Sequence, residues 1–558
     1  MAKQKDKIWL RMWIACDLPP SGSVDQIKQK TKREYKYSLR RVRLNAWDGR
    51  CDKKSWDRVM NSVKCSPLIN SSLRLCDFVS PYKNIWLSFN VNLHNHFTKL
   101  VNSILPIRIN QSQVLSVESC VKFRALKQVN KSEYLDSDGL CFKFVAYDCP
   151  ELLKHLQLLF QMCLAQSVVP DSFLSGCISP IVKRGKDPSA CSNYRPITVS
   201  CFVSKLFEYV LLPAINSKCN FTPFQLGFRK GMGCFQAHHI VGRLMKQAVA
   251  QKSPLYCLTV DISSAFDNVI HSNALFSLAA SGVNLSIVSV LKYWYANSSV
   301  RVKWNGTVGE YIPVKKGVRQ GVVLSPSIFK CVLASCLQRL QPSIFYNDNL
   351  GISHVAYADD VLLLSRTKNS LITNFYRLSA ALSTVGLSIN ASKCEFLCFG
   401  SPPPASPLCL GSSTIPCSAS IKWLGLSFST SLSSTCSAIT SSVLKSMRVG
   451  YAKISPNRGR YNRNGLCRLY SSFCAPAVFY LSGFAFLLRK KDTKKIRSGY
   501  FKYCKYLLRL PRWYRNHTVV SKFDIVDAPS RLKHLSKDIS LKTRQIIGVL
   551  DPLCPFLN

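Results

Sequence analysis

The chain has 558 residues, of which 47% are hydrophobic, so it can bury at least one large core and lacks the composition of a disordered protein. Lys and Arg number 75 against 29 Asp and Glu, which gives a formal net charge of +46 spread over most of the length. This excess favours a polyanionic partner, of which nucleic acid is the usual one and an anionic membrane surface the weaker alternative.

Three regions are predicted from composition and pattern. Residues 1–130 are predicted to form a basic helical N-terminal extension, with "KQKTKREYKYSLRRVR" from Lys28 to Arg43 as one helix and Trp47, Trp56 and Trp86 interleaved among the charges. Residues 131–428 alternate long amphipathic helices with strand-like runs. Residues 429–558 are predicted to be helical and basic.

A strand predicted at Leu255 to Val260 ends in an acidic residue, Asp261. The apolar run before this acid is typical of a buried strand, and a helix-like pattern follows from Ser264. Asp261 is therefore expected at the edge of a sheet.

A glycine-rich loop is predicted within Lys315 to Phe329, "KKGVRQGVVLSPSIF", before a long helix. Gly317 and Gly321 would let the backbone approach a base pair closely, and Gln320 could hydrogen-bond to that pair or pack against it. An ordinary loop leading into a helix, with Pro326 near the first turn, is the alternative.

Two adjacent carboxylates, Asp359 and Asp360, interrupt the stretch "SHVAYADDVLLLSR". Apolar runs on either side predict two buried strands joined by a tight turn. Neighbouring carboxylates resist ionising unless a metal ion, a basic side chain or solvent compensates their charge. Together with Asp261 they could supply the hard oxygen ligands that two Mg²⁺ ions need for in-line phosphoryl transfer.

The C-terminal part carries three further signals. Residues 401–420 are rich in Pro, Gly and Ser and are predicted as a loop with a short hairpin. Phe473 to Leu488 is apolar but has only 16 residues, so a buried helix is predicted rather than a membrane span. The 25 cysteines are scattered without a CxxC or a zinc spacing, which indicates reduced intracellular thiols.

Seven blocks in a fixed order resemble the reverse transcriptase of non-LTR (LINE-type) retrotransposons. The likeness runs from about Phe160 to Phe428, and seven ordered blocks are far more specific than any one of them. The blocks are "SNYRPITVSCFVSKLFE", "FQLGFRKGMG", "TVDISSAFD", "GVRQGVVLSP", "AYADD", "GLSINASKCEFLCFG" and "KWLGL".

This resemblance implies an α+β, right-hand polymerase fold of fingers, palm and thumb, with a mostly antiparallel palm sheet and helical N- and C-terminal extensions. It implies an RNA-directed DNA polymerase that adds dNTPs to a DNA 3′-hydroxyl on an RNA template. Two Mg²⁺ ions, with Mn²⁺ as an alternative, are the implied cofactors. The implied partners are an RNA template, with the element's own transcript as one candidate, a DNA primer and dNTPs, and no membrane.

The resemblance also assigns catalytic roles by position. Asp261 and Asp359 match the principal metal ligands, and Asp360 the more dispensable third. Lys393 matches a lysine suggested to protonate the leaving pyrophosphate, a solvated turn lysine being the alternative. Phe266 matches an aromatic residue that would collide with a 2′-hydroxyl and so select deoxynucleotides.

Further matches concern the nucleotide, template and primer. The residues of each set are implied to contact the same ligand, and their positions are those that match the family in the blocks quoted above. The implied dNTP-binding residues are Lys183, with Arg184 and Lys186 as alternatives to it, Arg195, Phe266, Gln320 and Gly321; the implied template-handling residues are Gly227, Arg229 and Gly231; the implied primer-holding residues are Trp423, Leu424 and Gly425.

The chain departs from this family in three respects. Its first 130 residues are too short for an apurinic-type endonuclease and lack the acid and His signatures of one, so we expect a truncated reading frame or a nuclease encoded elsewhere. No C-terminal zinc knuckle is present. Met232-Gly233-Cys234 stands where many relatives carry Ser or Thr after the second Gly. These departures bear on target-primed insertion and template contacts rather than on polymerisation.

The sequence leaves two other functions open. An RNA-dependent RNA polymerase is disfavoured, because such enzymes usually carry Gly-Asp-Asp at the hairpin and a small or polar residue where Phe266 stands. A retroelement relic that only binds nucleic acid is disfavoured by the intact acids and glycines. The expected compartment is intracellular, in the nucleus, the cytoplasm or both.

Overall fold

The computed structural model describes residues 73–87, 91–105, 114–117, 136, 150–183, 185–219, 221–347, 350–400, 407–410 and 413–547. The chain divides into two compact units, one of residues 69–458 with 466–558 and one of residues 1–68 with 459–465. Almost all of the described residues belong to the first of these units. The helix predicted from Lys28 to Arg43, with Trp47 and Trp56, lies outside the described residues.

Sixteen α-helices occur within the described ranges, and together with the strands they bear out a mixed helix and sheet chain. Their bounds are α1 Leu75–Leu87, α2 Val91–Ile104, α3 Pro150–Gln166, α4 Asp171–Leu174, α5 Phe202–Lys218, α6 Cys234–Ala250, α7 His271–Ala280, α8 Leu285–Ala296, α9 Ser325–Leu337, α10 Lys368–Thr384, α11 Leu432–Ile454, α12 Arg463–Phe473, α13 Ala475–Phe479, α14 Lys490–Leu507, α15 Asn516–Phe523 and α16 Ala528–Ile547.

The strands form two larger sheets and three two-stranded ribbons. One sheet has the order β2-β1-β4-β5, with β6 beside β4; the other has the order β11-β3-β10-β9; the ribbons are β7-β8, β12-β13 and β14-β15. Their bounds are β1 Ser175–Val182, β2 Tyr194–Val199, β3 Leu255–Asp261, β4 Ser299–Trp304, β5 Thr307–Val308, β6 Ile312–Pro313, β7 Ile344–Asn347, β8 Leu350–Ile352, β9 His354–Tyr357, β10 Asp360–Ser365, β11 Glu395–Phe399, β12 Leu408–Leu410, β13 Ser413–Ile415, β14 Ser420–Trp423 and β15 Leu426–Ser429.

The β11-β3-β10-β9 sheet is antiparallel throughout, in agreement with the mostly antiparallel sheet that the family resemblance implies. Its central strands β3 and β10 are almost wholly apolar, and most of their side chains are buried because helices and neighbouring segments cover the sheet. The C-terminal end of β3 and the N-terminal end of β10 lie side by side at the same edge of the sheet. That edge carries all of the acidic residues singled out in the sequence.

The helix predicted from Ser264 is displaced, because α7 begins only at His271. The intervening residues form turns, and their carbonyl oxygens accept hydrogen bonds from the glycine-rich loop. Val318 N–H donates to the Phe266 carbonyl at 2.8 Å, and Gly317 N–H to the Val269 carbonyl at 2.7 Å. These tertiary bonds to the glycine-rich loop compete with the i to i−4 bonds that a helix would form there.

Helix α1, in the described part of the N-terminal region, packs onto the β2-β1-β4-β5 sheet. Phe78 and Trp86 of α1 join a buried cluster with Tyr194 and Trp304 of the sheet strands. The Phe78 and Trp304 rings are 4.5 Å apart, a distance at which aromatic packing contributes beyond burial alone. Helix α1 therefore belongs to the same core as the sheet.

The buried helix predicted for Phe473 to Leu488 is broken into pieces. Only Ala475–Phe479 is α-helical, and a 3₁₀ turn follows at Ala485–Leu487. Gly483 lies between them, and a Cβ there would meet the Phe235 carbonyl oxygen at 1.9 Å, so the break allows a close backbone approach. Among the described helices, none combines the length and the apolar character needed to cross a membrane.

Cysteines in the described ranges form no disulfide, and most of them are buried. This agrees with the prediction that they act as small apolar side chains.

Candidate active site

The two adjacent acids lie at the tip of a tight hairpin, as predicted. Tyr357 of β9 pairs with Asp360 of β10, so only Ala358 and Asp359 form the loop. Ala358 has φ +59°, a left-handed conformation that costs a non-glycine residue about 1 kcal/mol. Surrounding contacts must therefore hold this turn in place.

The structure brings Asp261 beside this hairpin tip. Asp261 and Asp360 are directly opposed in the β3-β10 register, with Asp359 next along the chain. The Lys393 Nζ lies 3.1 Å from an Asp261 carboxylate oxygen, and both side chains are partly exposed. The Asp261 carbonyl accepts from Asn390 N–H at 2.8 Å, which fixes the Lys393 turn against the end of β3.

Burial and mutual repulsion raise the pKa values of the hairpin carboxylates. Burial, together with the charges of Asp359 and Asp261, raises the pKa of Asp360 to about 6. Burial and the Asp261 charge also raise the pKa of Asp359, while the charge of Arg195 opposes that rise. Such a cluster of negative charge is stabilised by added positive charge.

The donor set at this edge suits a hard divalent cation. Within the described ranges, no three His, Cys, Asp or Glu side chains converge closely enough to complete a metal site unaided. Mg²⁺ does not require this, because it retains water and takes further oxygen ligands from phosphate groups. Asp261 and Asp359 offer such oxygens, and the Lys393 ammonium beside Asp261 shows that a positive charge is accommodated there.

Phe266 lies on the turn that follows β3, five residues after Asp261. Its ring stacks on Phe329 of α9 with centroids 4.7 Å apart and meets Phe228 edge-on at 6.2 Å. Phe329 is fully buried, whereas half of Phe228 is exposed. Phe266 therefore stands at a boundary between the core and the open face of the sheet.

The glycine-rich loop is held by specific bonds. Gln320 Nε2 donates to an Asp267 carboxylate oxygen at 3.1 Å, and its carbonyl accepts from Thr198 N–H at 2.7 Å. Gly321 has φ +101°, and a Cβ there would meet the Thr198 carbonyl oxygen at 2.9 Å. Only glycine suits this position, where the loop crosses β2.

The two predicted cations stand on the β1-β2 hairpin. Arg195 is exposed and pairs with Ile181 across the hairpin, near enough to Asp359 for its charge to oppose the rise that burial causes in the pKa of that carboxyl. Lys183 Nζ donates to the Ser192 carbonyl at 2.8 Å, and its charge opposes the rise that burial causes in the pKa of Asp267. Both therefore contribute positive charge on the side of the sheet edge where the acids lie.

The segment containing Gly227 packs directly against the acidic hairpin. Leu226 N–H donates to the Ala356 carbonyl at 2.8 Å, so the segment runs alongside β9. A Cβ on Gly227 would lie 2.1 Å from the Ala358 nitrogen. Gly227 is buried, and its described contacts brace the turn that carries Asp359.

Arg229 and Gly231 occupy the turn after this segment. The Arg229 guanidinium donates to the Pro223 and Gln225 carbonyls at 3.3 and 3.4 Å, so much of its donor capacity is used within the protein. Gly231 has φ +79° with open space around it.

Trp423, Leu424 and Gly425 belong to the β14-β15 ribbon. Trp423 is only 3% exposed, so its indole packs inside and is not available for contact with a primer. Leu424 and Gly425 form the two-residue loop between paired residues Trp423 and Leu426, with Leu424 half-buried and Gly425 exposed.

Four residues with contacts in this region were assigned no functional role from the sequence, where Cys234 is noted only as a departure from the family. Asp267 holds Gln320, while His238, Tyr480 and Cys234 surround the β14-β15 loop and the hairpin. A histidine within the apolar pattern of α6 is the one sequence signal that could have indicated a buried hydrogen bond. The other three look ordinary in sequence because their partners lie far away along the chain.

Comparison with known proteins identifies the region that holds this site. Residues 181–428 match the family model described as "Reverse transcriptase (RNA-dependent DNA polymerase)". All three acids, Lys393 and the β14-β15 loop fall within that match.

Three relatives illustrate the similarity. The chain is 28% identical over 244 residues to the Retrovirus-related Pol polyprotein from type-1 retrotransposable element R2 of Nasonia vitripennis, covering 43% of this chain and 24% of that protein. It is 24% identical over 402 residues to the RNA-directed DNA polymerase from mobile element jockey of Drosophila melanogaster, covering 69% of this chain and 43% of that protein. It is 24% identical over 410 residues to the Probable RNA-directed DNA polymerase from transposon X-element of Drosophila melanogaster, covering 69% and 44%. The chain thus spans less than half the length of each of these relatives.

Proposed function

Since residues 181–428 form a reverse transcriptase domain similar to those of non-LTR retrotransposons, we propose that the chain is an RNA-directed DNA polymerase. It would extend a DNA primer with dNTPs opposite an RNA template. The observation that carries the proposal is the register pairing of Asp261 with Asp360, which gathers three acids at one sheet edge. Primer extension on a defined RNA template, with dNTPs and Mg²⁺, tests it.

The regions of the fold take the roles of a right-hand polymerase in this proposal. The β11-β3-β10-β9 sheet would be the palm, the β2-β1-β4-β5 sheet part of the fingers, and helices α11 to α16 the thumb. The palm and fingers sheets converge where Arg195 lies near Asp359, which supports a nucleotide site between them.

The chain's own residues divide the work of nucleotide addition. Arg195 would grip triphosphate oxygens with its planar guanidinium, and Lys183 would add charge beside it. Gln320, fixed by Asp267, would contact the nascent base pair, and Gly321 would let the backbone approach it. Phe266 would lie under the sugar. Lys393, within hydrogen-bonding distance of Asp261, would give a proton to the leaving pyrophosphate.

Asp261 and Asp359 would hold divalent cations, with Asp360 as a lesser contributor. A reverse transcriptase domain implies dependence on a divalent metal, and we propose two Mg²⁺ ions, with Mn²⁺ as a substitute. When bound, such ions stabilise the attacking and leaving oxygens of an in-line displacement.

Replacing Phe266 with Val is expected to lower discrimination against ribonucleotides by about 10- to 100-fold, because the volume that would exclude a 2′-hydroxyl is removed. The measurement is kcat/KM for dCTP against CTP on one RNA template. Phe345→Val is the matched control, since that ring is 56% exposed on β7. Unchanged discrimination in Phe266→Val would refute the role of this ring as a sugar gate.

A basic groove on the proposed thumb supports binding to nucleic acid. Its cavity measures 520 Å³ and combines cationic and aromatic side chains of α14 and the following loop. Arg497 lies 5.3 Å from the Phe501 ring centroid, and Arg512 lies 5.8 Å from that of Tyr506. Phosphate attracts such cations, and the partly exposed Tyr506 ring can stack on a base, whereas the Phe501 ring is buried. We call this surface the α14 groove.

Replacing Lys494, Lys502 and Lys505 together with Ala is expected to weaken binding of an RNA–DNA hybrid uniformly across sequences. The slope of log K against log salt should fall by about 0.7 to 0.9 for each phosphate that is no longer neutralised. Fluorescence anisotropy over a salt series measures this. A triple Ala variant at Lys522, Lys533 and Lys537, all exposed but outside the groove, removes the same charge. Equal slopes in the two triple variants would argue against the groove.

A further inference from the structure

The loop between β14 and β15 adopts a conformation that needs external support. Its two residues, Leu424 and Gly425, have φ +42° and +73°, the pattern of a type I′ hairpin turn. Glycine tolerates this geometry, but leucine in the left-handed region costs about 1 to 2 kcal/mol. Contacts from elsewhere in the fold must therefore compensate.

Two side chains support the loop by hydrogen bonding to the same backbone oxygen atom. The Leu424 carbonyl oxygen accepts a hydrogen bond from the Tyr480 hydroxyl at 2.6 Å. It also faces His238 Nε2 at 3.0 Å. His238 comes from α6 and Tyr480 directly follows α13, so distant parts of the chain meet at this oxygen. A carbonyl oxygen has two lone pairs, and these two donors can use both.

His238 is suited to act as a fixed donor. Its side chain has no solvent exposure, and its Nδ1 makes no hydrogen bond to any described residue. Because a carbonyl can only accept, Nε2 must carry the proton. Burial lowers the pKa of His238 to about 4, so the ring stays neutral and keeps this tautomer at physiological pH.

The same network reaches the acidic hairpin. The Tyr480 hydroxyl and the Tyr357 hydroxyl each interact with the Cys234 thiol, at the start of α6. Tyr357 immediately precedes the Ala358–Asp359 turn. A continuous set of contacts therefore joins the β14-β15 loop to the turn that carries Asp359.

We propose that His238 and Tyr480 are positioning residues that fix the β14-β15 loop, and with it the primer 3′ end, at a set place relative to Asp359. This inference rests on the proposed polymerase function and on the primer-holding role that the family resemblance implies for Leu424 and Gly425. Neither residue touches the reacting atoms, and both act through the Leu424 carbonyl. Loss of either donor frees the strained turn and lets the primer terminus drift from the in-line geometry.

Three variants of the full chain test the proposal: Tyr480→Phe, His238→Leu and the two combined. Each single change is expected to lower the rate of single-nucleotide extension about 10-fold, because small displacements of reacting groups are costly. The dNTP KM and the hybrid Kd should stay within about 2-fold. Since both donors serve one oxygen, the double variant should fall well short of the roughly 100-fold loss that additivity predicts.

Rescue and a matched control separate positioning from general stability. His238→Gln retains a donor and should recover to within about 3-fold of the wild-type rate. Tyr470→Phe removes another thumb hydroxyl that donates to a backbone carbonyl, that of Tyr500, and should leave the rate unchanged. If Tyr480→Phe and Tyr470→Phe lower the rate equally, or if neither does, the positioning role is refuted. If His238→Leu does not fold, the extension rates of Tyr480→Phe and His238→Gln still test the positioning role.

A second readout does not depend on catalysis. A 2-aminopurine at the primer 3′ terminus should be more fluorescent in complexes of Tyr480→Phe and His238→Leu than in the wild-type complex, since the base is less well held. Identical fluorescence would overturn the inference. If the wild-type protein binds the hybrid without extending it, the polymerase proposal fails, while this fluorescence still reports whether the two residues position the strand.

Discussion

Replacing Asp359 with Asn is expected to lower primer extension on an RNA template by about 10³-fold, or about 4 kcal/mol of activation free energy. The amide keeps the shape of the side chain but removes a charged oxygen ligand from the proposed cation site. Folding should not suffer, because burial and the Asp261 charge raise the pKa of Asp359. Loss of this charge relieves repulsion, so the melting temperature without metal should stay the same or rise.

Three further measurements accompany this variant. Asp360→Asn should cost less than Asp359→Asn, because Asp360 is proposed as the lesser ligand. Asp538→Asn, an exposed acid on α16, is the control for the loss of one charge and should extend primers normally. Hybrid affinity by anisotropy should be similar in all of them. Extension by Asp359→Asn at the wild-type rate would show that the chemistry lies elsewhere or that the signal comes from a contaminant.

Replacing Gly227 with Ala should lower extension by about 10²-fold although Gly227 carries no chemistry. The added Cβ would lie 2.1 Å from the Ala358 nitrogen, far inside van der Waals contact, so the Asp359 turn must move. A displacement of about 1 Å at the reacting groups is enough for a loss of this size. Steady-state primer extension measures it, with circular dichroism to check the fold.

Gly459→Ala is the matched control, because a Cβ there meets nothing within 4 Å and the backbone does not require glycine. Gly227 does not line the α14 groove, so hybrid binding should persist in Gly227→Ala. An active Gly227→Ala enzyme with native stability would mean that the hairpin does not depend on this close approach.

The parts of the site that lie on regular, locally encoded elements could be predicted from the sequence. The β9-β10 hairpin follows from two apolar runs around a polar pair, and β3 from the run that ends in Asp261. Their pairing required a further step, because no local pattern specifies which strands are neighbours. The family resemblance supplied that step, and the observed register opposes Asp261 and Asp360.

The supporting contacts could not be predicted in this way. His238 and Leu424 are 186 residues apart, and only the folded chain makes them partners. The break in the segment from Phe473 to Leu488 has a similar origin. It accompanies the close approach of Gly483 to the Phe235 carbonyl, which no local sequence signal indicates. The role of Gly227 in bracing the Asp359 turn was likewise missed, because its neighbour Ala358 lies far along the chain.

The central claim is that Asp261 and the hairpin acids together bind divalent cations. Fe²⁺ in place of Mg²⁺, with ascorbate and peroxide, generates hydroxyl radicals that cleave the backbone beside a bound ion. Mapping the cut sites by mass spectrometry should give cleavage near both Asp261 and Asp359, suppressed by excess Mg²⁺ and abolished in Asp359→Asn. Cleavage confined to other parts of the chain, or unchanged by that substitution, would contradict the account.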